Sequence, residues 1–513
     1  MNCMSYLSKR GYVLKKEFFT QDELLELKKE LRARPLTDDK FNKNNNDTTF
    51  PIYIETKTKM YIPKMFGIKK YGYPESVLEN YTGKLWDHEI EFNGKLLERQ
   101  IEPCDVLYNT CIEKYGGILE LQTGFGKTFC ALYILSKLKC KAIIVVNKIT
   151  LLNQWKTEIE KFLPNASIGI LQGKKNVDIV DKDITVAMLQ SLSRIDYPDE
   201  LFKGIAVTVI DEIHNVSSEH FSKILFKLCS KYTIGLSATP NRADGCEYVF
   251  KMHIGDIVYK STVEREGKAP IIKCLKITSE NYKEVFSTNR FTGQKTIQFT
   301  SMLSELIEMP KRNKLIIELI KNCIKEKRKI LVLSDRRNHL VKLKELIDSD
   351  TSVTFTSGLF LGSMKIEELN KSKACDLILA SFAAFSEGVS VSSLNSLILI
   401  TPKKYIGHLK NTTKNESGRL EQIVGRIFRR DHIEINPMII DLFDNFSVYK
   451  SQGNSRKAFY KEHFKNGIFI DQTVNLDTFT SINSIITKKT TNKIIETEQP
   501  TNLITNFCLL DDE

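Results

Sequence analysis

Short apolar runs rich in β-branched residues recur along most of the chain, separated by longer stretches with helical periodicity. In the first half these runs fall at 117–121, 141–146, 183–187, 206–210 and 232–236. They lack the strict apolar–polar alternation of a half-exposed strand, as is typical of strands buried on both faces. The pattern predicts a parallel α/β domain over 89–262, with its ligand at the carboxyl ends of the strands.

The same rhythm returns in the second half of the chain. Apolar runs at 329–333, 376–380, 397–400 and 438–441 predict a second parallel-sheet domain over 311–468. Between the two domains, 263–310 is rich in Lys, Thr and Ser and predicts a connecting region. The predicted fold class is therefore α/β, with two parallel-sheet domains in tandem.

The two ends of the chain differ from these domains. Residues 21–31 have helical periodicity with Thr20 as a cap, and 50–72 alternates as short strands do. We expect 1–88 to form a small N-terminal accessory domain that contacts nucleic acid or a partner, or else caps the next domain. Residues 469–513, rich in Thr, Asn and Ile, are predicted to form a flexible tail.

Charge and cysteine usage narrow the class of protein. The net charge of +12 suits a polyanionic partner, although a lysine-coated enzyme explains it equally well. The 11 cysteines are scattered singly without zinc-site spacing, which indicates reduced thiols in the cytoplasm or nucleus. We find no signal peptide and no apolar run long enough to span a bilayer, and therefore expect a soluble protein with no membrane partner.

The sequence ELQTGFGKT, between the first apolar run and a helix-patterned segment, is typical of a phosphate-binding loop. Gly124 and Gly126 let the backbone curl so that N–H groups point at phosphate oxygens. Lys127 is expected at the β- and γ-phosphates and Thr128 at Mg²⁺. Leu121 stands where the general pattern has its first glycine, a departure common in nucleic-acid helicases and translocases. The alternative is a chance Gly-Lys-Thr turn.

Two acidic residues follow the run at 206–210. A parallel sheet places the end of this strand beside the phosphate loop, so Asp211 can hold Mg²⁺ through water and Glu212 can polarise the attacking water. A helix-capping role is the alternative for this pair. Ser237 and Thr239, at the end of another predicted strand, carry small hydroxyls that can link the acids to a second surface.

Arginines recur in the second half at about one helical turn, together with Gln422 and Gly425. Arg426 and Arg429 would share a helix face and could neutralise transition-state charge on a γ-phosphate held by the other domain. The alternative is a solvated basic helix.

These segments stand in the order and spacing of the motifs of superfamily 2 helicases, and the chain resembles that family over 92–465. The supporting segments lie at 96–100, 145–155, 185–191, 331–336 and 380–388. Within the superfamily, 151–155 and 238–245 are most similar to the XPB-like branch, which includes transcript-release DNA helicases of poxviruses and other large DNA viruses.

The resemblance implies two RecA-like domains with ATP and Mg²⁺ between them. It implies nucleotide contacts by Gln100, Leu121, Gln122, Thr123, Gly124, Phe125, Gly126, Lys127, Thr128 and Gly388. It implies metal contacts by Thr128 and Asp211, and catalytic roles for Lys127, Asp211, Glu212, His214, Gln422, Arg426 and Arg429. Gln100 in particular would contact adenine.

The expected function is that of an ATP-dependent DNA helicase or translocase, with 3′-to-5′ polarity, in viral transcription or repair. The expected partner is DNA, as a single strand or duplex junction, with RNA, RNA polymerase and other transcription factors as further partners. A viral enzyme would occur in the virion and host cytoplasm. Two alternatives stay open: an RNA helicase of the Asp-Glu-x-His type, and a non-enzymatic nucleic-acid-binding scaffold with a decayed ATP site.

Overall fold

Three sheets of five, eight and seven strands carry the fold. The computed structural model describes residues 5–35, 49–74, 76–122, 124–216, 222–238, 245–261, 267–288, 293, 295–350, 354–362, 364–385, 391–403, 420, 423–428 and 432–482. In this part of the chain no helix has the length and apolar character needed to cross a membrane.

The five-stranded sheet belongs to the N-terminal unit, by which we mean residues 5–35 and 49–82. Its elements are β1 (Ser5–Ser8), β2 (Gly11–Lys15), α1 (Gln21–Glu30), β3 (Arg32–Ala33), β4 (Phe50–Pro51), β5 (Ile54–Glu55), β6 (Lys59–Ile62), α2 (Lys64–Tyr71), β7 (Ser76–Val77) and α3 (Glu79–Thr82). The strand order is β5-β6-β2-β1-β7. Thr20 caps α1 through a capping box with Glu23, which confirms the predicted start of this helix.

The eight-stranded sheet forms the first large domain. Its elements are α4 (Glu98–Lys114), β8 (Gly116–Glu120), α5 (Lys127–Leu138), β9 (Ala142–Val146), α6 (Ile149–Phe162), β10 (Ile168–Gln172), β11 (Asn176–Asp178), β12 (Ile184–Met188), α7 (Leu189–Arg194), β13 (Val207–Asp211), α8 (Ile224–Lys227), β14 (Tyr232–Ser237), α9 (Glu247–Ile254) and β15 (Ile257–Lys260). The order is β11-β10-β12-β9-β13-β14-β8-β15, and only β11 pairs antiparallel. Apolar clusters cover both faces of this sheet, as predicted for buried parallel strands.

The seven-stranded sheet forms the second large domain, and all its pairs are parallel. Its elements are β16 (Ile271–Thr278), the hairpin β17 (Phe286–Thr288) and β18 (Lys295–Ile297), α10 (Phe299–Glu308), α11 (Pro310–Lys325), β19 (Ile330–Ser334), α12 (Arg337–Asp348), β20 (Ser357–Phe360), α13 (Ile366–Ala374), β21 (Leu377–Ser381), α14 (Phe382–Phe385), β22 (Ser396–Leu399), β23 (Met438–Asp444), α15 (Ser447–His463) and β24 (Ile468–Asn475). The order is β20-β21-β19-β22-β23-β16-β24. The predicted α/β fold with two tandem parallel-sheet domains is confirmed.

Three local predictions are wrong. Strand β16 lies in the second sheet between β23 and β24, so 263–310 is more than a connecting region; Lys273 and Lys276 interrupt its apolar run and hide it. Strand β24 forms the sheet edge inside the predicted tail, and its exposed face explains its polar residues. Residues 64–71 form helix α2 instead of strands, because Gly67 lets the helix pack against the Tyr12 ring.

The N-terminal unit docks at the amino ends of β8 and β14, away from the carboxyl edge of the first sheet. Lys64 is fully buried there, and its Nζ donates to the carbonyls of Tyr115, Ser230 and Lys231 and to Thr233 Oγ1 at 2.9–3.1 Å. Burial lowers the pKa of Lys64 to about 8. The unit is thus fixed to the first domain by a charge that has only neutral oxygens as hydrogen-bond partners.

Candidate functional site

Three neighbouring strands of the first sheet, β13, β14 and β8, end side by side. In their register Asp211 pairs with Leu236, and Ser237 pairs with Glu120. The loop after β8, the acid pair after β13 and the serine that ends β14 therefore meet at one edge of the sheet. This is the carboxyl edge, where open parallel sheets bind their ligands.

The loop that leads from β8 into α5 has the geometry of an anion cradle. Gly124 and Gly126 have φ angles of +90° and +100°, in the left-handed region that only glycine adopts without strain. A Cβ on Gly126 would lie 2.5 Å from Gln100 Nε2. Helix α5 begins at Lys127, so its free N–H groups and dipole point toward this loop.

Gln100 supports the phosphate loop from beneath. Its side chain is nearly fully buried on α4, its Oε1 accepts from the Leu97 N–H at 3.0 Å, and its Nε2 donates to the Phe125 carbonyl at 2.8 Å. The amide oxygen can accept one further hydrogen bond, and the amide nitrogen can donate one further hydrogen bond. The contact of Gln100 with adenine stays a prediction, and its contact with the loop is the one that the structure contains.

Leu121 and Phe125 have side chains in the core of the first domain rather than facing a ligand. Leu121 is fully buried, and its N–H donates to the Ser237 carbonyl at 2.9 Å. The Phe125 ring is 7 % exposed and packs in the same apolar cluster. The resemblance implies that both residues contact the nucleotide, and this stays a prediction for their backbone, because the two side chains complete the core beneath the loop. Gln122 donates its N–H to Ser261 Oγ at 3.0 Å.

Glu212 is the centre of a polar cluster at the strand ends. Lys127 Nζ lies 2.9 Å from its Oε1, and His214 Nδ1 and Ser237 Oγ each lie 3.5 Å from its Oε2. Burial raises the pKa of Glu212, but the charges of Lys127, His214 and Arg426, with the Lys127 hydrogen bond, outweigh burial and leave this pKa below its usual range. Glu212 is therefore a carboxylate, which is the form that can accept a hydrogen bond from water.

The backbone at Glu212 is strained, since its φ is +53° in a residue with a side chain. Such conformations cost about 1–3 kcal/mol and are concentrated at functional sites. Here the turn separates the two acids, because Asp211 still belongs to β13 whereas Glu212 begins a 3₁₀ turn over Ile213–Asn215. The two carboxylates consequently have different partners.

Asp211 is held by a tryptophan that sequence reasoning did not assign to this site. Trp155 Nε1, on the buried face of α6, donates to Asp211 Oδ2 at 2.9 Å. Burial, followed by the charge of Glu212, raises the pKa of Asp211 to about 6. The sequence indicates only that a tryptophan on the apolar face of a helix usually finds an acceptor for its N–H, and it does not indicate which residue supplies that acceptor.

The donor set fits Mg²⁺. Thr128 supplies a hydroxyl at the start of α5 and Asp211 a carboxylate at the end of β13, both hard oxygen ligands. Within the described ranges no three His, Cys, Asp or Glu side chains converge as a metal cluster. Such a sparse set suits Mg²⁺, which keeps several waters and shares substrate phosphates.

Arg426 is a residue of the second domain that lies near this site. It lies in a 3₁₀ turn over Gly425–Phe428 and is 4 % exposed, and its charge lowers the pKa of Glu212. The turn is held by His432, whose Nε2 lies 2.8 Å from the Ile427 carbonyl oxygen. The structure thus places Arg426 of one domain within electrostatic reach of Glu212 of the other. Five residues to which the sequence analysis gives a role lie outside the described residues: Thr123, Thr239, Gly388, Gln422 and Arg429.

Comparison with known proteins adds independent information. The family model described as "Type III restriction enzyme, res subunit" matches residues 93–242. The chain is 30 % identical over 472 residues to a protein of Acanthamoeba polyphaga mimivirus named "Putative ATP-dependent RNA helicase", with 91 % of this chain and 86 % of that protein covered. It is 26 % identical to a "Probable helicase" of Escherichia phage T5, with 71 % and 73 % of the two chains covered.

Among solved structures, the chain is similar to a fragment of a type I restriction-enzyme subunit from Vibrio vulnificus. The TM-score is 0.51 at 14 % identity, with 75 % of this chain and 70 % of that chain covered. At this identity the likeness concerns the fold alone. It agrees with the two parallel-sheet domains described above.

Proposed function

This chain is an ATP-hydrolysing nucleic-acid helicase of superfamily 2, and from that premise we propose that it is a DNA helicase or translocase with 3′-to-5′ polarity. The observation that carries the proposal is the group formed by Lys127, Glu212 and Arg426, which joins a phosphate-binding loop, a water-orienting acid and a cation from the second domain. The choice of DNA rests on the similarity of 151–155 and 238–245 to the XPB-like branch.

ATP binding would rearrange this group. The β- and γ-phosphates offer Lys127 Nζ a more highly charged partner than Glu212 Oε1, so Lys127 would turn toward them and release the carboxylate. Glu212 would then orient the attacking water, while its other oxygen stays hydrogen-bonded to Ser237 and close to His214. Bound Mg²⁺, held by Thr128 and Asp211, would neutralise phosphate charge during this step.

The second domain would couple hydrolysis to movement. Arg426, with Gln422 and Arg429, would stabilise the charge that develops on the γ-phosphate and so favour the closed arrangement of the two domains. After hydrolysis that stabilisation is lost, and the cleft opens. Alternation between the two states would step the domains along a strand held mainly by its phosphates. In the XPB-like branch this movement serves transcription or repair, which we propose here too, with RNA polymerase as a candidate partner.

The test is ATPase activity with single-stranded DNA, duplex DNA and single-stranded RNA in parallel. We expect DNA to stimulate turnover and DNA with a 3′ overhang to be unwound or traversed. Stimulation by RNA alone would overturn the DNA assignment. That outcome is the second candidate function, an RNA helicase, and the name of the mimivirus relative favours it.

Two substitutions test the assigned roles. Glu212→Gln keeps the shape of the side chain but removes its charge, so we expect turnover to fall about 10²–10⁴-fold. Lys127→Ala should abolish turnover, whereas Lys137→Ala, an exposed lysine on the same helix, should not. Wild-type protein without ATPase activity under every condition would indicate the third alternative, a scaffold with a decayed site.

A further inference from the structure

The N-terminal unit carries an excess of positive charge. Residues 5–35 and 49–82 contain 13 Lys and Arg against 8 Asp and Glu, so these 65 of the 513 residues hold 5 of the net charge of +12. Two of these lysines, Lys9 and Lys64, are buried against the first domain. The others that the structure describes lie on the strands, helices and turns of the unit.

One face of the five-stranded sheet is covered by helices. Leu7, Tyr12, Leu14, Met60 and Ile62 share this face and pack in one apolar cluster. Leu24 and Leu27 of α1 belong to the same cluster, and Gly67 of α2 lies against the Tyr12 ring. Helices α1 and α2 therefore form the second layer of the unit on that side.

The opposite face carries aromatic rings and lysines. Tyr6 pairs with Val13, and Val13 pairs with Tyr61, so the two tyrosines flank one residue in a row across three strands. Lys15 and Lys59 are direct cross-strand partners in the next row of the same face. All four of these side chains are half-buried, with part of each accessible to solvent.

The lysines of this face are not neutralised. In the part of the chain that the structure describes, neither Lys15 nor Lys59 forms an ion pair, whereas Lys16 and Lys28, near the sheet edge, both pair with Glu55. Lys59 Nζ lies 5.5 Å from the centre of the Tyr6 ring. Two like charges directly opposite each other in a sheet repel. Here aromatic side chains hold them in place of acids, because Lys15 Nζ lies 5.9 Å from the centre of the Phe18 ring and a hydrogen bond to Tyr6 raises the pKa of Lys59.

We propose that this face, defined by Tyr6, Lys15, Lys59 and Tyr61, binds single-stranded nucleic acid outside the motor domains. Lysines attract the phosphates, and tyrosine rings on a sheet surface stack on unpaired bases, which a duplex does not offer. Because the unit is docked on the first domain through Lys64, the face would act as a second contact on the same strand. A tethered second contact raises the overall affinity of both.

The inference rests on the proposed function, since it needs a strand that the motor also uses. The first experiment compares Lys15→Gln/Lys59→Gln with Lys29→Gln/Lys69→Gln. The control pair removes the same charge from exposed positions on the helical layer. Binding of a long single-stranded oligonucleotide is followed by fluorescence anisotropy over a range of salt concentrations.

Each lost phosphate contact should reduce the slope of log K against log salt by about 0.7, so the Lys15/Lys59 variant should lose about 1.4 and the control should match wild type. Tyr6→Leu/Tyr61→Leu keeps an apolar cover but removes the rings, and it should weaken single-strand binding by at least about fivefold with little change on duplex. ATPase activity at saturating strand concentration should stay unchanged in every variant.

Equal slopes for the two lysine pairs would overturn the inference and leave the proposed function standing. Equal losses on duplex and single strand in the tyrosine variant would also overturn it, because base stacking would then not be involved. If the wild-type protein binds neither DNA nor RNA, the proposed function itself fails. Melting temperatures of all variants identify any that fail to fold. For those, the affinity measurement is replaced by photo-crosslinking of a halogenated pyrimidine strand to Tyr6 or Tyr61 of the wild-type protein. Absence of crosslinks at both positions would count against the inference.

Discussion

The hydrogen bond from Trp155 to Asp211 should set the acidic limit of catalysis. Trp155→Phe keeps most of the ring volume and removes only the indole N–H that lies 2.9 Å from Asp211 Oδ2. A hydrogen bond to a charged group contributes about 1.5–3 kcal/mol, and the carboxylate form of Asp211 loses this stabilisation. Since 1.36 kcal/mol corresponds to one pH unit, the pKa of Asp211, raised by burial to about 6, should rise by about one to two further units.

The direction of this change in the pH profile follows from the charge of Asp211. Asp211 must be ionised to hold a metal ion, so activity is lost as pH falls through its pKa, and a higher pKa moves that loss toward neutral pH. The assay is kcat/KM for ATP with saturating nucleic acid from pH 5.5 to 9, because this quantity reports groups of the free enzyme. We expect the acidic limb of the Trp155→Phe profile to shift upward by about one to two pH units, with activity recovered at pH 9.

The chain supplies a matched control. Its second tryptophan, Trp86, is also largely buried, but its Nε1 has no hydrogen-bond acceptor in the described structure. Trp86→Phe therefore removes an indole N–H without removing a bond, and its profile should match wild type. The reasoning is refuted if the Trp155→Phe limb superimposes on the wild-type limb, or if both variants shift equally.

Three further predictions concern the loop, the docking lysine and a buried ion pair. Gly126→Ala should reduce ATPase activity strongly, because the backbone φ is +100° there and the new Cβ would lie 2.5 Å from Gln100 Nε2. Gly173→Ala is the control, since Gly173 has a φ of +67° but open space around it, and its ATPase activity should be unchanged. Equal ATPase activities of the two variants would contradict this prediction. Burial lowers the pKa of Lys64 from 10.5 to about 8, so its charge costs about 3 kcal/mol below pH 8 and the cost disappears as pH rises toward 10.5. The unfolding free energy of wild type minus that of Lys64→Met should accordingly rise between pH 8 and 10.5 in denaturant titrations, and a flat difference would exclude the mechanism. Arg312→Ala should destabilise the second domain by about 3–5 kcal/mol, because it leaves the fully buried Asp444 without the charged partner that lies 2.9 Å away. A loss below about 1 kcal/mol in urea unfolding would contradict that expectation.

The sequence was sufficient to predict those features of the fold and of the site that a pattern of neighbouring residues determines. Parallel strands buried on both faces have continuous apolar runs, and the loop around Gly124 and Gly126 needs two left-handed residues, so both could be predicted without a structure. The Thr20 capping box is likewise contained within four residues. Each of these features depends on neighbours that are adjacent in the chain.

The sequence was insufficient where the partner is distant. Strand β16 is polar enough to resemble a linker, and only its pairing with β23 and β24, about 160 and 200 residues later, makes it part of a sheet. The helicase motif predicts that Leu121 contacts the nucleotide. The direction of its side chain, however, is determined by packing in the core of the first domain. The bond between Trp155 and Asp211 also joins residues that no local pattern connects.

The cluster around Glu212 links these observations to the working cycle. Without nucleotide the charge of Glu212 is already compensated within the site, because Lys127, His214 and Arg426 lower the pKa of Glu212 below its usual range although burial raises it. A phosphate that takes Lys127 away leaves a buried carboxylate with less compensating charge, and that charge then comes from His214 of the first domain and from Arg426 of the second. Once nucleotide is bound, the Glu212 carboxylate of the first domain therefore depends more on the charge of Arg426 in the second domain. This is a physical reason for the two domains to close on ATP, and it needs only the charges that the structure places at the strand ends.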